Sequence, residues 1–256
     1  WLEKGVSGFR IDIIVCLFEK ILADGSFPDE PIDNPNCDIN DMCYLKHIYT
    51  QDQHETFEMA YDWRALLDDF KTQHGGVTKI MMTESWSDVD QAQRFYGNST
   101  RKGSYIPFNF ELIKALDRNS KAADYKRAID AWLTPLPQGV EANWVIGNHD
   151  KHRAASRLGP ERGDLINILI QTLPGVAITY MGEELVMENV HLTWEETVDP
   201  QACNTHDPVN YEGSSRDPAR TPFPWDDTKN GGFSTANTTW LPAGDQYKTV
   251  NVKAQE

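Results

Sequence analysis

Hydrophobic and polar positions alternate along this chain at two different periods. Short apolar, β-rich runs occupy Val6–Ile11, Val77–Thr83, Ser104–Phe108, Asn143–Ile146 and Val176–Tyr180, and each reads as a strand. Longer amphipathic stretches lie between them. The first opens at Asp52, which with Glu55 reads as a capping box; Ala60, Trp63, Leu67 and Phe70 then recur at helical spacing until Gly75-Gly76. A second helix is expected near Ala122–Leu133. A third follows Pro160, with Leu165, Ile168, Leu169 and Leu173 on its apolar stripe. Strand followed by helix at this spacing predicts βα units and a parallel sheet.

Five such units can be counted, whereas a closed (β/α)8 barrel needs eight. The expected fold is therefore α/β: the C-terminal part of a (β/α)8 TIM barrel, about strands 4 to 8, over residues 1–188. Residues 189–256 are expected to form an irregular, turn-rich extension over the catalytic face, ending before a C-terminal β-domain. Trp1–Val6 reads as a helix end running into a strand, so the remaining units and a signal peptide are expected upstream. Five units leave sheet edges open, and the 256 residues by themselves are expected to be poorly stable and inactive. Residues 23–53 form a long polar loop of the kind that is either functional or disordered.

Composition narrows the function classes. A hydrophobic fraction of 39% allows a sizeable core, and the net charge of −15 disfavours nucleic acid and anionic membrane surfaces, which attract clustered Lys and Arg. The cysteines form no C-x-x-C pair, which argues against structural zinc. Cys37 and Cys43 flank the polar loop Asp38-Ile39-Asn40-Asp41-Met42, a separation a small disulfide loop can span; two unpaired thiols are the alternative. Asn98 and Asn237 each begin an N-glycosylation sequon. Disulfide and sequons agree with an extracellular location, secreted or anchored at the cell surface.

Candidate chemistry sits at the strand ends. The first strand ends Gly8-Phe9-Arg10-Ile11-Asp12, the second Met82-Thr83-Glu84-Ser85-Trp86, the fourth Gly147-Asn148-His149-Asp150. A carboxylate after a strand is often only a helix cap, but three at equivalent positions, with Arg10 and His149 beside them, point to the active face of a barrel. Paired carboxylates suit glycosidic cleavage, which needs an acid for the departing oxygen and a negative group for an oxocarbenium-like centre. Arg10 lies two residues before Asp12 on a strand, so both side chains share a face and the guanidinium should keep Asp12 ionised. Glu84 follows an apolar run and precedes Trp86, and a desolvated carboxyl keeps its proton longer. Adjacent side chains on an extended chain point to opposite sides, so His149 and Asp150 are not expected to share a metal ion. No serine-hydrolase elbow, phosphate loop, dinucleotide fingerprint or H-E-x-x-H pair is present.

Those three carboxylate regions, in that order, resemble the α-amylase superfamily of glycoside hydrolases. Ile106-Pro107-Phe108-Asn109-Phe110-Glu111, Leu173-Pro174-Gly175-Val176, Tyr180-Met181-Gly182-Glu183-Glu184 and Ser215-Arg216-Asp217-Pro218-Ala219-Arg220-Thr221-Pro222-Phe223 are similar to insect maltases, as is the closing Thr249-Val250-Asn251-Val252. The resemblance implies a retaining exo-α-glucosidase acting on maltose, sucrose or short oligosaccharides. Asp12 would be the nucleophile, Glu84 the acid and base, and Asp150 the transition-state stabiliser. Arg10, His149 and Arg216 would bind or orient substrate, unless Arg216 is a surface residue paired with Asp217. No cofactor is implied as required; a structural calcium is conceivable and nothing in the sequence points to it. Ile13 after the nucleophile, and Lys151-His152 after the third carboxylate, depart from the usual pattern. The competing reading is a non-catalytic homologue acting as a cell-surface receptor or transporter-associated binding protein; such homologues often lose a carboxylate, and this chain keeps all three.

Overall fold

The computed structural model describes residues 1–37, 39 and 42–256; Asp38, Asn40 and Asp41 of the expected polar loop lie outside the described residues. The fold is α/β, and packing divides the chain into two units. One comprises Trp1–Asn109 and Ala131–Asn143, the other Phe110–Asp130 and Trp144–Glu256. These units interleave along the sequence, whereas the sequence reading drew a single division at residue 188 from where periodicity fades.

In the first unit β1 (Gly8–Ile11), β2 (Ile80–Thr83) and β3 (Ile106–Pro107) form a parallel three-stranded sheet in that order. The register pairs Gly8 with Ile80 and Ile11 with Thr83. Gly8 is needed there, because a Cβ would lie 2.6 Å from the Ile80 carbonyl oxygen. The strands are shorter than their apolar runs, since polar or turn residues at each run's ends leave the ladder.

Helix α1 (His54–His74) buries a stripe of Phe57, Ala60, Tyr61 and Leu67, and the first three pack in one cluster with Ile14, Val15 and Phe95. That stripe recurs at three and four residues, which is the helical period. The Phe57 and Phe95 ring centroids are 4.6 Å apart. The capping box expected from Asp52 does not form. Helix α1 is capped by Gln53 without a side-chain bond, and Asp52 takes a left-handed φ of 53° and instead accepts a 2.6 Å bond from the Ser87 hydroxyl. A short helix, α2 (Val89–Arg94), follows β2.

The long loop before α1 is tied down by its own chemistry. The Glu30 carboxylate accepts from the amides of Ile48, Tyr49 and Thr50 and from the Thr50 hydroxyl. These bonds hold its pKa below the usual carboxylate range, although burial acts the other way. A Cys37–Cys43 disulfide closes the loop tip, with Cα atoms 6.0 Å apart.

Beyond β3 come α3 (Glu111–Ala115) and α4 (Ala122–Leu133). Strand β4 (Asn143–Val145) pairs with β5 (Val176–Ile178). Between them lie α5 (Ala154–Leu158) and α6 (Gly163–Thr172). The apolar stripe read for this last helix is corrected. Its buried side is Gly163, Ile166 and Ile170, while Leu165 and Ile168 are 59% and 64% exposed. Asp164, Asn167 and Gln171 mark a polar stripe, but the apolar arc of Leu165, Ile166, Ile168, Leu169 and Ile170 is wider than the side the fold buries, so hydrophobicity alone does not choose the face within it.

From residue 189 onward, among the described residues, no strand occurs. Two four-residue helices, α7 (Pro200–Cys203) and α8 (Val252–Gln255), are joined by 3-10 turns. Met187, Val190, Leu192 and Leu241 form a small core that fixes this irregular segment. No helix of the described residues is long and apolar enough to cross a membrane.

Candidate active site

The parallel register of β1 and β2 determines which polar groups meet at their C-terminal ends. Because Ile11 is level with Thr83, Asp12 and Glu84 leave the sheet side by side. The Glu84 amide donates to Ile11 O at 3.0 Å and the Ile14 amide to Glu84 O at 3.1 Å. Arg10, two residues before Asp12, shares its face. Its guanidinium donates to the Asp12 carboxylate through Nη1 and to Glu84 Oε2 at 2.6 Å through Nη2. One planar cation thus holds two carboxylates, where the sequence reading assigned Arg10 to Asp12 alone.

The two carboxylates sit in different environments. The Asp12 side chain is 66% exposed and that of Glu84 only 3%. Burial raises the Glu84 pKa above its ordinary value, and a shared hydrogen bond with the Asp12 carboxyl adds to the rise. The Arg10 charge, the Trp86 indole N–H and the Ile13 amide oppose it. The indole donates to Glu84 Oε1 at 3.2 Å and the Ile13 amide to Oε2 at 3.3 Å. Ile13 adopts φ of 40° to present that amide, an unusual conformation for a β-branched residue. The outcome is an open carboxylate beside a covered carboxyl that keeps its proton to higher pH.

In the second unit the end of β4 runs into a turn carrying His149 and Asp150. The Asp150 amide donates to Asn148 Oδ1 at 3.0 Å. The expectation that His149 and Asp150 point apart is corrected: His149 Nε2 lies 3.1 Å from Asp150 Oδ2, because the chain turns here instead of staying extended. Asp150 Oδ1 accepts from Arg220 Nη2 at 2.8 Å and more distantly from Arg216 Nη1 at 3.4 Å. Arg220 also donates through Nε to the His149 carbonyl at 2.7 Å.

Arg216 is held chiefly by Asp199, with Nη2 to Oδ1 at 2.6 Å and Nε to Oδ2 at 2.9 Å. Its expected alternative partner, Asp217, instead accepts from the amides of Val198 and Asp199. Asp199 is buried. Burial acts to raise its pKa, but the bonds from Arg216 and from the Arg216 and Gln201 amides outweigh it and hold the carboxyl at about 2. The same pairing raises the Arg216 pKa.

The structure therefore brings Arg10, Asp12 and Glu84 together in one unit, and His149, Asp150 and Arg216 together in the other. Arg220 and Asp199 were missed by sequence reasoning. Arg220 had a signal, being four residues after Arg216 across a single 3-10 turn, whereas Asp199 is an ordinary acidic residue in a polar stretch. Asn98 and Asn237 are both exposed. Among the described residues, no group of three or more His, Cys, Asp or Glu is placed to hold a metal ion.

Maltase A1 of Drosophila melanogaster is 52% identical over 259 residues, covering all of this chain and 45% of that protein. Salivary alpha-glucosidase of Anopheles gambiae is 48% identical over 256 residues, covering all of this chain and 43% of that protein. The chain spans less than half the length of these curated relatives. Among solved structures, an alpha-glucosyl transfer enzyme, XgtA, superposes with a TM-score of 0.79 at 25% identity, over 100% of this chain and 46% of that one. The family model for the alpha amylase catalytic domain matches residues 1–256, and the chain belongs to the alpha-amylase family of glycoside hydrolases.

Proposed function

We propose that this chain carries the catalytic residues of a retaining exo-α-glucosidase that releases terminal α-linked glucose from maltose, sucrose or short oligosaccharides. The observation that carries the reading is the pair of unlike carboxyls on one guanidinium, Asp12 open to solvent and Glu84 covered with a raised pKa. Retaining glycosidases need that division of labour.

Asp12 attacks the anomeric carbon. The glycosidic C–O bond breaks as Glu84 gives its proton to the departing oxygen, leaving glucose bound through an ester to Asp12. Glu84, now a carboxylate, takes a proton from water; the water oxygen bonds to the anomeric carbon, and Asp12 departs. Two inversions return the α configuration. Arg10 keeps Asp12 ionised and aimed. Asp150 stabilises the positive charge that develops on the sugar, held by Arg220, and His149 and Arg216 bind or orient the terminal glucose. The reaction requires no cofactor.

The five strand–helix units are read as about strands 4 to 8 of a (β/α)8 barrel, with residues 189–256 as its active-face extension. Secretion or cell-surface display is supported by the salivary relatives, the Cys37–Cys43 disulfide and the exposed sequon asparagines Asn98 and Asn237. Retention of all three carboxylates favours an enzyme over a binding homologue.

The test is hydrolysis of maltose and of a nitrophenyl α-glucoside by the intact protein. Replacing Asp12 by Asn should lower kcat by roughly 10³-fold or more. A D12N variant that turns over at the wild-type rate ends this reading.

A further inference from the structure

A second buried carboxyl lies beneath the turn that carries Asp150, and the chemistry above does not use it. Glu183 is 7% exposed, in the turn that follows β5. Its Oε2 accepts from the Tyr180 amide at 2.9 Å, and its main-chain carbonyl accepts from Asn167 Nδ2 of α6 at 2.9 Å. Its Oε1 is buried with no hydrogen-bond partner and is pressed against Gly147, where a Cβ would lie 2.3 Å away. Gly147 is the third residue before Asp150. The turn between them is clamped from other sides. Arg157 donates to the carbonyls of Ile146 and His152, and Arg220 to the carbonyl of His149. Only glycine lets the carboxyl reach the chain there.

We propose that Glu183 is a positioning residue, a neutral wedge under Gly147 that fixes the Gly147–Asp150 turn and so sets where Asp150 stands. An ionised wedge would place a bare charge against backbone with no donor for one oxygen, which is costly in a buried site. Burial pushes the Glu183 carboxyl up to about 7, opposed by the Tyr180 amide and by the charges of Arg157 and Arg153, with Glu184 adding to the rise. Arg157 donates to carbonyls as above and Arg153 Nη1 to Met181 O at 2.6 Å; Arg153 Nε and Nη2 are buried without a partner, and neither arginine hydrogen-bonds the Glu183 carboxyl. The positioning role rests on the proposed glycosidase reading; the wedge itself does not.

The primary readout is hydrogen exchange of the 147–150 backbone in the intact protein, which needs no activity. Glu183→Ala should speed exchange there, while Glu183→Gln, isosteric with the neutral acid, should leave it as in the wild type. The melting temperature should also fall more gently with rising pH in Glu183→Gln than in the wild type. The raised folded pKa makes the native state most favoured below about 4.5, and that advantage is lost as pH climbs through about 7. On the nitrophenyl α-glucoside, Glu183→Ala should lower kcat about 10²-fold, as for a misplaced catalytic group, with Glu183→Gln restoring it. Unchanged exchange in Glu183→Ala, or Glu183→Gln as disturbed as Glu183→Ala, overturns the wedge. Normal kcat in Glu183→Ala with faster exchange overturns the positioning of Asp150. A protein inert on every α-glucoside overturns the glycosidase reading and the positioning role with it, leaving exchange to decide the wedge.

Discussion

At the residue scale, one carboxyl becomes an acid and another a nucleophile through their surroundings. Asp12 and Glu84 share Arg10, yet Glu84 lies beneath Trp86 and the Ile13 amide while Asp12 faces solvent. Glu84→Gln should therefore depend on the leaving group. Hydrolysis of maltose, whose departing sugar hydroxyl needs a proton, should fall by about 10²–10⁴-fold. A nitrophenyl glucoside, which leaves as a stable phenolate, should lose less in the glycosylation step; equal losses on both substrates would remove Glu84 from the acid role. The wild type should also lose activity as pH rises through the raised Glu84 pKa, because the acid form is the active one. The polar types and their order were legible in the sequence, since Arg10 and Asp12 at strand spacing must share a face. The bond from Arg10 to Glu84 was not legible, because it depends on the register of two strands far apart in the chain.

At the element scale, α1 shows where pattern suffices and α6 where it does not. In helix α1 the expected stripe of Ala60, Trp63, Leu67 and Phe70 places Ala60 and Leu67 in the core and leaves Trp63 and Phe70 half-buried, while Phe57 and Tyr61 complete the buried face. Phe57, 1% exposed and in tilted ring contact with Phe95, should cost about 3–5 kcal/mol when cut to Ala. Denaturant unfolding of the intact protein measures that loss, and a value under about 1 kcal/mol would mean the helix is not anchored there. Helix α6 is apolar on several sides, and the stripe with Leu165 and Ile168 was as good a reading as the one with Ile166 and Ile170 that the fold buries. Near α1, Asp52 and Glu55 match a cap pattern, but the chain's approach bends Asp52 into a left-handed turn and hands its carboxylate to Ser87. A local motif gives way when a tertiary partner is better placed.

At the scale of the whole molecule, each unit carries a groove lined mainly by apolar side chains. In the first, a groove of about 880 Å³ is lined by Trp1, Phe9, Leu66, Phe70 and Met81, with Trp1 85% and Leu66 56% exposed. In the second, a groove of about 670 Å³ is lined by Tyr125, Ile129, Leu165, Ile168 and Leu169. Leu165 and Ile168 on the second groove are, like Trp1 and Leu66 on the first, more than half exposed. The 256 residues expressed alone should bind a hydrophobic dye such as ANS and unfold over a broad range. A sharp, cooperative transition without dye binding would show that these surfaces are tolerated.

Taken alone, the sequence determined the α/β alternation and the three carboxylates at strand ends, because side-chain period and residue type are local properties of the chain. It also brought Cys37 and Cys43 within reach of each other, through a short separation. The fold decided which face of α6 is buried, that Arg10 grips Glu84 as well as Asp12, that Asp199 and not Asp217 holds Arg216, and that Glu183 lies under Gly147. Each of these is a contact between residues distant in sequence or a choice between equally apolar faces, and only the packed chain supplies the partner.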